Sequence, residues 1–388
     1  MSGRVAGCKQ DGERFTRLRR ILSLTTMDRT GVRQKRAYFM TINVGILGFA
    51  HGHVNAYCAQ WQQKPEHGIQ LVAGWDHDAA RLAKSAESYA IQGYNSLDEF
   101  LAHPGLQAVV IGVETSLHAE MVEKAAAAGK MIALQKPVAL TLAEADRIVA
   151  AVEEHKVPFT LAWQMRVDPQ NVQIKELMQS GELGRIFSVR RRHGLPAQLW
   201  DTANMWHFNA ALNRDIWADD SAHPIDFLYW LLGKPESVTA EISTHLVTND
   251  NGVALFRYAN GLLAEISCSF TCLAAENSIE VIGEKGTIVQ SYGDAPSCNV
   301  PRPADAPGLK WYTAEKKDWS YSEIASPTNH GARIAGLAGP LAEFFHGKRP
   351  AIATAEEGRT VLRMTLATYV SSHEGRRVQI DDPGVANV

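Results

Sequence analysis

The first patterned apolar run is Val44, Ile46 and Leu47, set around Gly45 and closed by Gly48. It is too short and too uniformly apolar for a surface helix and predicts a buried parallel strand. Similar runs recur at Gln70–Gly74, Gln107–Val113, Met131–Leu134 and Val157–Ala162. The stretches between them have helical spacing: Ala79–Tyr89, a short one from Ser96, Leu117–Ala128 and Thr141–His155. Their ends are marked. Asp78 precedes the first; Ser96 and Thr141 stand three residues before Glu99 and Glu144 in a capping-box pattern. Gly129 stands where a helix C-terminus favours glycine. Tyr94 reads as a short apolar link. Strands alternating with helices predict a parallel sheet with right-handed crossovers over residues 41–163.

After Met165 the period changes. A helix over Pro169–Ser180 ends at Gly181, and alternating strands then dominate: Ile186–Arg192, Val238–Leu246, Gly252–Tyr258, Leu262–Phe270, Ser278–Gly283 and Thr287–Gln290. Asn260-Gly261 is a hairpin signal between two of them. Residues 164–388 therefore predict an α+β domain with a large, open, mostly antiparallel sheet, one face covered by helices. Residues 291–330, rich in Pro, Ser, Gly and Asp, read as a long loop, and Leu337–His346 and Ala355–His373 as helices packed back on the body.

Composition alters this picture in one place. The 388 residues carry a net charge of −3, but residues 1–40 hold ten Lys or Arg against three Asp or Glu, leaving −10 to the remainder. That basic segment has little apolar periodicity and is expected to be a disordered tail or a mis-assigned start, with Met40 or Met27 as the beginning of the folded protein. Arg19-Arg20 before ILSLTTM makes a poor export signal, because the apolar part is short and broken by Asp28, Arg29 and Arg33. The overall charge argues against a nucleic-acid partner, and no apolar run suits a membrane span. Five scattered cysteines argue against a disulfide framework and for a reducing cytoplasm; no metal site is expected.

Chemistry concentrates at two kinds of place. The turn Gly48-Phe49-Ala50-His51-Gly52 after the first strand is a loose form of the glycine-rich turn that opens a Rossmann dinucleotide-binding domain. There small residues let the backbone approach a pyrophosphate, and a helix N-terminus offers it free N–H groups. Asp76, ending the second strand, is placed to accept hydrogen bonds from the ribose hydroxyls of NAD and to repel the extra phosphate of NADP. Capping the next helix is its alternative role, although Asp78 is the better N-cap. Gln135-Lys136-Pro137 follows another parallel strand, at the carboxyl edge where such sheets bind ligands. A lysine there can orient a hydroxyl and help move its proton; a solvated turn lysine fits the pattern equally. Asp219 to Asp226 opens a helix over Ala222–Leu232. Asp219 or Asp226 could hold the His223 imidazole; alternatively Ser221 caps the helix and His223 packs.

Taken together these motifs resemble the Gfo/Idh/MocA oxidoreductase family, which includes glucose–fructose oxidoreductase and inositol dehydrogenase, over nearly all of Ile42 to Ile380. Val44–Gly48 is similar to its opening strand, and Thr115 to His118 to its N-x-x-H turn with Thr in place of Asn. Gln135-Lys136-Pro137 stands for Glu-Lys-Pro, and Arg166 with Pro169 for R-x-x-P. SGELGRI at Ser180–Ile186, Asp219-x-x-x-His223-x-x-Asp226 and Gly283-x-Lys285-Gly286-Thr287 complete the resemblance. It implies hydride transfer between nicotinamide and a secondary hydroxyl of a sugar or polyol. His223 would be the base, Lys136 would hold the hydroxyl, and Asp219 would orient the pair. Thr115, His118, Gln135 and Arg166 would join the cofactor site.

Departures from the family pattern are Gln135, the His51 and His53 pair, and Asn213-Arg214-Asp215 in place of a glycine run. Five of nine tryptophans fall between Trp163 and Trp230. Trp206 and His207 are candidate substrate contacts, since sugar C–H faces pack on aromatic rings. The expected cofactor is NAD rather than NADP. An NAD-dependent glycoside hydrolase, or a non-catalytic cofactor-binding protein, are the alternatives. The apolar side of the second sheet suggests a homodimer or homotetramer.

Overall fold

The structure, a computed structural model, describes residues 41–274, 277–291, 308–325, 327 and 330–388. The basic segment at residues 1–40 lies outside them, as does most of the expected loop between Ser291 and Gly308.

Residues from Ile42 build a parallel sheet: β1 (Ile42–Leu47), α1 (His53–Gln63), β2 (Ile69–Trp75), α2 (Ala79–Tyr89), β3 (Gln92–Tyr94), α3 (Leu97–Leu101), β4 (Ala108–Ile111), α4 (His118–Ala127), β5 (Met131–Leu134), α5 (Leu142–His155) and β6 (Phe159–Leu161). The strand order is β3-β2-β1-β4-β5-β6, all parallel. The order reverses beside β1, which puts the ligand crevice at the carboxyl ends of β1 and β4. Val44, Ile46, Leu47 and all of β4 are buried, as the continuous apolar runs require. Local signals hold: Asp78 and Ser96 cap α2 and α3, and Thr141 with Glu144 forms a full capping box on α5. Tyr94 is not a link but part of β3, a three-residue edge strand too short to announce itself.

The second sheet has nine strands in the order β14-β13-β12-β11-β7-β10-β9-β8-β15, reached after α6 (Pro169–Gln179). Here β7 is Ile186–Gly194. It is followed by α7 (Ala210–Asn213), α8 (Ile216–Asp220), α9 (Ala222–Leu232), β8 (Ser237–Thr244), β9 (Asn249–Arg257), β10 (Leu263–Ser269), β11 (Ser278–Gly283) and β12 (Gly286–Gln290). β13 (Leu309–Thr313), β14 (Trp319–Tyr321), α10 (His330–Ala335), α11 (Ala338–Phe345), α12 (Ala355–Glu374) and β15 (Val378–Gln379) complete it. All neighbours are antiparallel except β7 with β10. The expected loop at 291–330 is thus corrected: β13 and β14 extend the sheet edge. Their few β-formers are embedded in turn-rich sequence, and only pairing with β12 reveals them as strands.

Helix α12 joins the halves. It packs on β8, α5 and α9, and a Cβ on its Gly358 would lie 2.3 Å from Leu161 Cδ1, so glycine alone permits this approach to β6. The alternation read along β7 is present: Arg191 is buried while Arg190 and Arg192 are exposed.

Candidate active site

At the end of β1 the chain turns on Gly48, whose φ is 91° and whose absent Cβ would stand 2.3 Å from Val113 Cγ1. Only glycine allows this turn to lie against β4. Gly48 N–H donates to Trp75 O at 2.8 Å and His51 N–H to Gly112 O at 2.9 Å, so β2 and β4 both hold the turn. Helix α1 then starts at Gly52 with no side-chain cap and open space around its absent Cβ. An uncapped helix start beside a glycine turn fits a dinucleotide pyrophosphate.

Asp76 lies beside this turn, but its carboxylate is already engaged. It accepts from Phe49 N–H at 2.7 Å, from Asp78 N–H at 2.9 Å, and from Arg81 Nε and Nη2 at 2.7 Å each. Arg81 Nη2 also donates to Glu114 Oε1 at 3.1 Å. The Asp76 side chain has no exposed surface, whereas Arg81 keeps about a quarter of its own. Asp76, expected to accept from the ribose hydroxyls, thus has both oxygens engaged by Arg81 on the first turn of α2. Arg81 and Glu114 carried no motif signal; only folding brings positions 76, 81 and 114 together.

Lys136 follows β5, and its peptide bond to Pro137 is cis. Its Nζ donates to Asp219 Oδ1 at 2.6 Å and lies 3.7 Å from Asp220 Oδ1. Burial alone would push the ammonium down, but Asp219 and Asp220 outweigh it and hold Lys136 above its ordinary range. Burial opposes ionisation of Asp219 too, yet Lys136 draws it below the usual carboxylate range. Asp220 goes the other way: burial, with repulsion from Asp219, pushes it up to about 7 against the pull of Lys136.

His223 lies in the first turn of α9, buried, with Nε2 3.6 Å from Asp220 Oδ1 and Trp163 edge-on at 5.4 Å. Two expectations change here. The carboxylate beside the imidazole is Asp220, not Asp219, because Asp219 is turned to Lys136. Asp226 does not meet the ring; it takes Arg166 through Nε and Nη2 at 2.7–3.2 Å. Nor does Ser221 cap the helix, since its hydroxyl donates to Trp217 O.

Over the glycine turn lies the segment before α7. Trp206 Nε1 donates to Ala50 O at 3.1 Å, and its ring stacks on His207 at 3.9 Å. His51 packs among His53, Trp206 and His207 at 4.3, 6.1 and 6.0 Å. Burial, with His53 and Lys136 nearby, keeps His51 neutral well below the normal imidazole range; burial also lowers His207. Thr115 Oγ1 donates to Asn213 Oδ1 at 2.6 Å, and Asn213 Nδ2 to His207 O at 3.2 Å. Asn213, the first residue where the glycine run is replaced, therefore ties this segment to the end of β4.

Two further expected cofactor contacts have partners within the protein. His118 is fully buried with Nδ1 2.9 Å from Pro137 O and Nε2 3.3 Å from Val113 O; burial drives its pKa down to about 4. Arg166 gives its guanidinium to Asp226, Glu357 and Ile352 O. Gln135 is buried beside the Tyr57 hydroxyl. Among the described residues no three His, Cys, Asp or Glu are arranged to hold a metal ion, and no helix is long and apolar enough to cross a membrane.

A glycine turn of the dinucleotide-binding form thus ends β1, and a buried lysine–carboxylate–imidazole cluster lies past the carboxyl end of β5, in a parallel sheet followed by a second, mostly antiparallel one. Residues 42–162 match the Gfo/Idh/MocA family's NAD-binding Rossmann fold and residues 171–289 its C-terminal domain, and the chain belongs to that family. D-apiose dehydrogenase of Paraburkholderia graminis is 25% identical over 87% of this chain and 88% of its own length. Inositol 2-dehydrogenase of Salmonella typhimurium is 25% identical over 64% and 73%. In fold the chain is similar to levoglucosan dehydrogenase in complex with NADH and levoglucosan, with TM-score 0.76, 19% identity, and 88% of this chain and 100% of that one covered.

Proposed function

We propose that the protein is an NAD-dependent dehydrogenase that oxidises a secondary hydroxyl of a sugar, polyol or sugar derivative. One observation carries this reading: Lys136, Asp219, Asp220 and His223 lie within 2.6–3.7 Å of one another, atom to atom along the cluster, just past the carboxyl end of β5. When bound, the nicotinamide supplies the acceptor for the hydride. The protein supplies the rest. The Lys136 ammonium, kept charged by Asp219, binds the hydroxyl oxygen and stabilises the negative charge that grows on it. His223 takes the hydroxyl proton. Burial of all four groups excludes water and strengthens each interaction. Trp206 and His207 offer a flat surface and a ring nitrogen to a polyhydroxylated ring.

NAD is the proposed cofactor in preference to NADP. Asp76 and Glu114 outnumber Arg81, leaving a negative balance at the end of β2. The relatives' names favour a sugar or polyol substrate: apiose, inositol and levoglucosan are all polyhydroxylated. A second copy of the chain is the proposed partner for the open face of the second sheet, where Phe187, Val253, Leu255 and Leu263 are each more than a third exposed. The deciding experiment incubates purified protein and NAD with a panel of aldoses, inositols and anhydrosugars and follows reduced-nicotinamide absorbance. Reduction with a panel member supports the reading. Release of an aglycone without net reduction, or tight NAD binding with neither, removes it.

A further inference from the structure

The cluster holds one more acid than the alcohol chemistry above employs. Asp220 ends α8, and α9 begins at Ala222 after the single residue Ser221, which places Asp220 and His223 on adjacent turns three residues apart. Its side chain is 12% exposed. A single oxygen, Oδ1, lies 3.7 Å from Lys136 Nζ and 3.6 Å from His223 Nε2. Asp219, at 2.6 Å, is already the counter-ion of Lys136.

Charge counting shows what the extra carboxylate does. When the hydroxyl proton has moved to His223 and hydride has left the carbon, the substrate is a neutral carbonyl and the imidazole has become a cation beside the Lys136 ammonium. Asp219 is already turned to Lys136, and Asp220 Oδ1, 3.6 Å from Nε2, is a carboxylate placed to face the imidazolium.

Resting on the dehydrogenase reading, we propose that Asp220 is a positioning residue that holds the His223 ring and stabilises its protonated form as the substrate hydroxyl is deprotonated. In the full step, the hydroxyl proton goes to the imidazole, the C–H bond breaks with hydride passing to the nicotinamide, and the C–O bond becomes a carbonyl. Asp220 touches none of the reacting atoms.

Several described groups stand around Asp220. From the segment after β5 comes Lys136, from its own helix Asp219, and from α9 His223. Cys268 of β10 also faces it, but burial and the Asp220 charge both raise that thiol and keep it neutral. The His193 ring of β7 lies 6.1 Å from that of His223, centroid to centroid.

The test reads the ring itself. Protein labelled in its histidine rings is titrated by NMR with neither sugar nor NAD present, and the His223 signal is assigned by its loss in H223Q. Replacing Asp220→Asn removes the neighbouring anion. The His223 titration is expected to move to about tenfold higher proton concentration, while Asp220→Glu keeps it near the wild-type position. Where Asp220→Asn fails to fold, Asp220→Ser removes the same charge. With an active substrate, the acid limb of kcat/KM moves to lower pH in Asp220→Asn, and kcat falls more than KM changes. An identical His223 titration in wild type and the uncharged variant overturns the proposal. Because the titration needs no turnover, failure of every sugar in the panel would remove the dehydrogenase reading and leave this measurement standing.

Discussion

Two clusters of the same composition, one cation between two carboxylates, sit at the carboxyl edge of the parallel sheet. At the end of β2, Arg81 bridges Asp76 and Glu114; past β5, Lys136 lies between Asp219 and Asp220. The difference is in the cation and its depth. Arg81 is a fork that fills both oxygens of Asp76 and keeps 24% of its side-chain surface. It fixes geometry and can exchange no proton at neutral pH. Lys136 is a point charge with 4% of its side chain exposed, beside an acid raised to about 7 and an imidazole. On the proposed reading, the first cluster holds shape and the second handles a proton.

Substitutions in the second cluster have the largest expected effect. Lys136→Ala and His223→Ala should each lower kcat/KM by about 10²–10⁴-fold, with NADH affinity by fluorescence titration changed little. Comparable turnover in either would erase the distinction between the clusters. Next comes Arg166→Ala, which leaves Asp226 charged and buried. It should cost about 3–5 kcal/mol in denaturant unfolding, a loss of fold rather than of chemistry. In the first cluster, Arg81→Ala frees Asp76. The ratio of NADP to NAD dissociation constants should then rise by about tenfold, roughly 1.4 kcal/mol; an unchanged ratio would make Arg81 a bystander.

The pH dependence of stability separates the clusters more subtly. Asp220 has a native pKa of about 7, above its unfolded value, so the native state holds its proton more tightly. Its contribution is full below the unfolded carboxylate pKa and is lost as pH rises through 7. His118 has the opposite sign: its native pKa of about 4 lies below the unfolded imidazole value, so stability falls as pH drops from about 6.5 towards 4. Unfolding curves should therefore show Asp220→Asn gaining on wild type between pH 4 and 7. The smallest effect is Trp206→Phe, which loses the hydrogen bond to Ala50 O and about 1 kcal/mol.

What could be read from the chain was local. The Gly48 turn, the Asp78 cap, the Thr141 box and the helix Ala222–Leu232 each depend on residues a few positions apart, and each stands as expected. What could not be read was mostly partnership across the fold. Asp76 looked open because nothing nearby in sequence shows that Arg81 curls back over it while Glu114 approaches from β4. Asp219 and Asp220 are neighbours in sequence, and only the direction of α8 decides that the first meets Lys136 and the second His223. Arg166 and His118 carried family-like motifs, yet their polar atoms are taken up by Asp226, Glu357 and backbone carbonyls.

The central claim is that the β5 cluster works on a substrate held against a bound nicotinamide. Its most direct test is a crystal structure of the protein with NAD. The nicotinamide ring should lie over Lys136 and His223, with room for one hydroxyl between C4 and the Lys136 Nζ, and the pyrophosphate should lie at the Gly48 turn. A nicotinamide bound away from Lys136, with both side chains facing only protein, would contradict it.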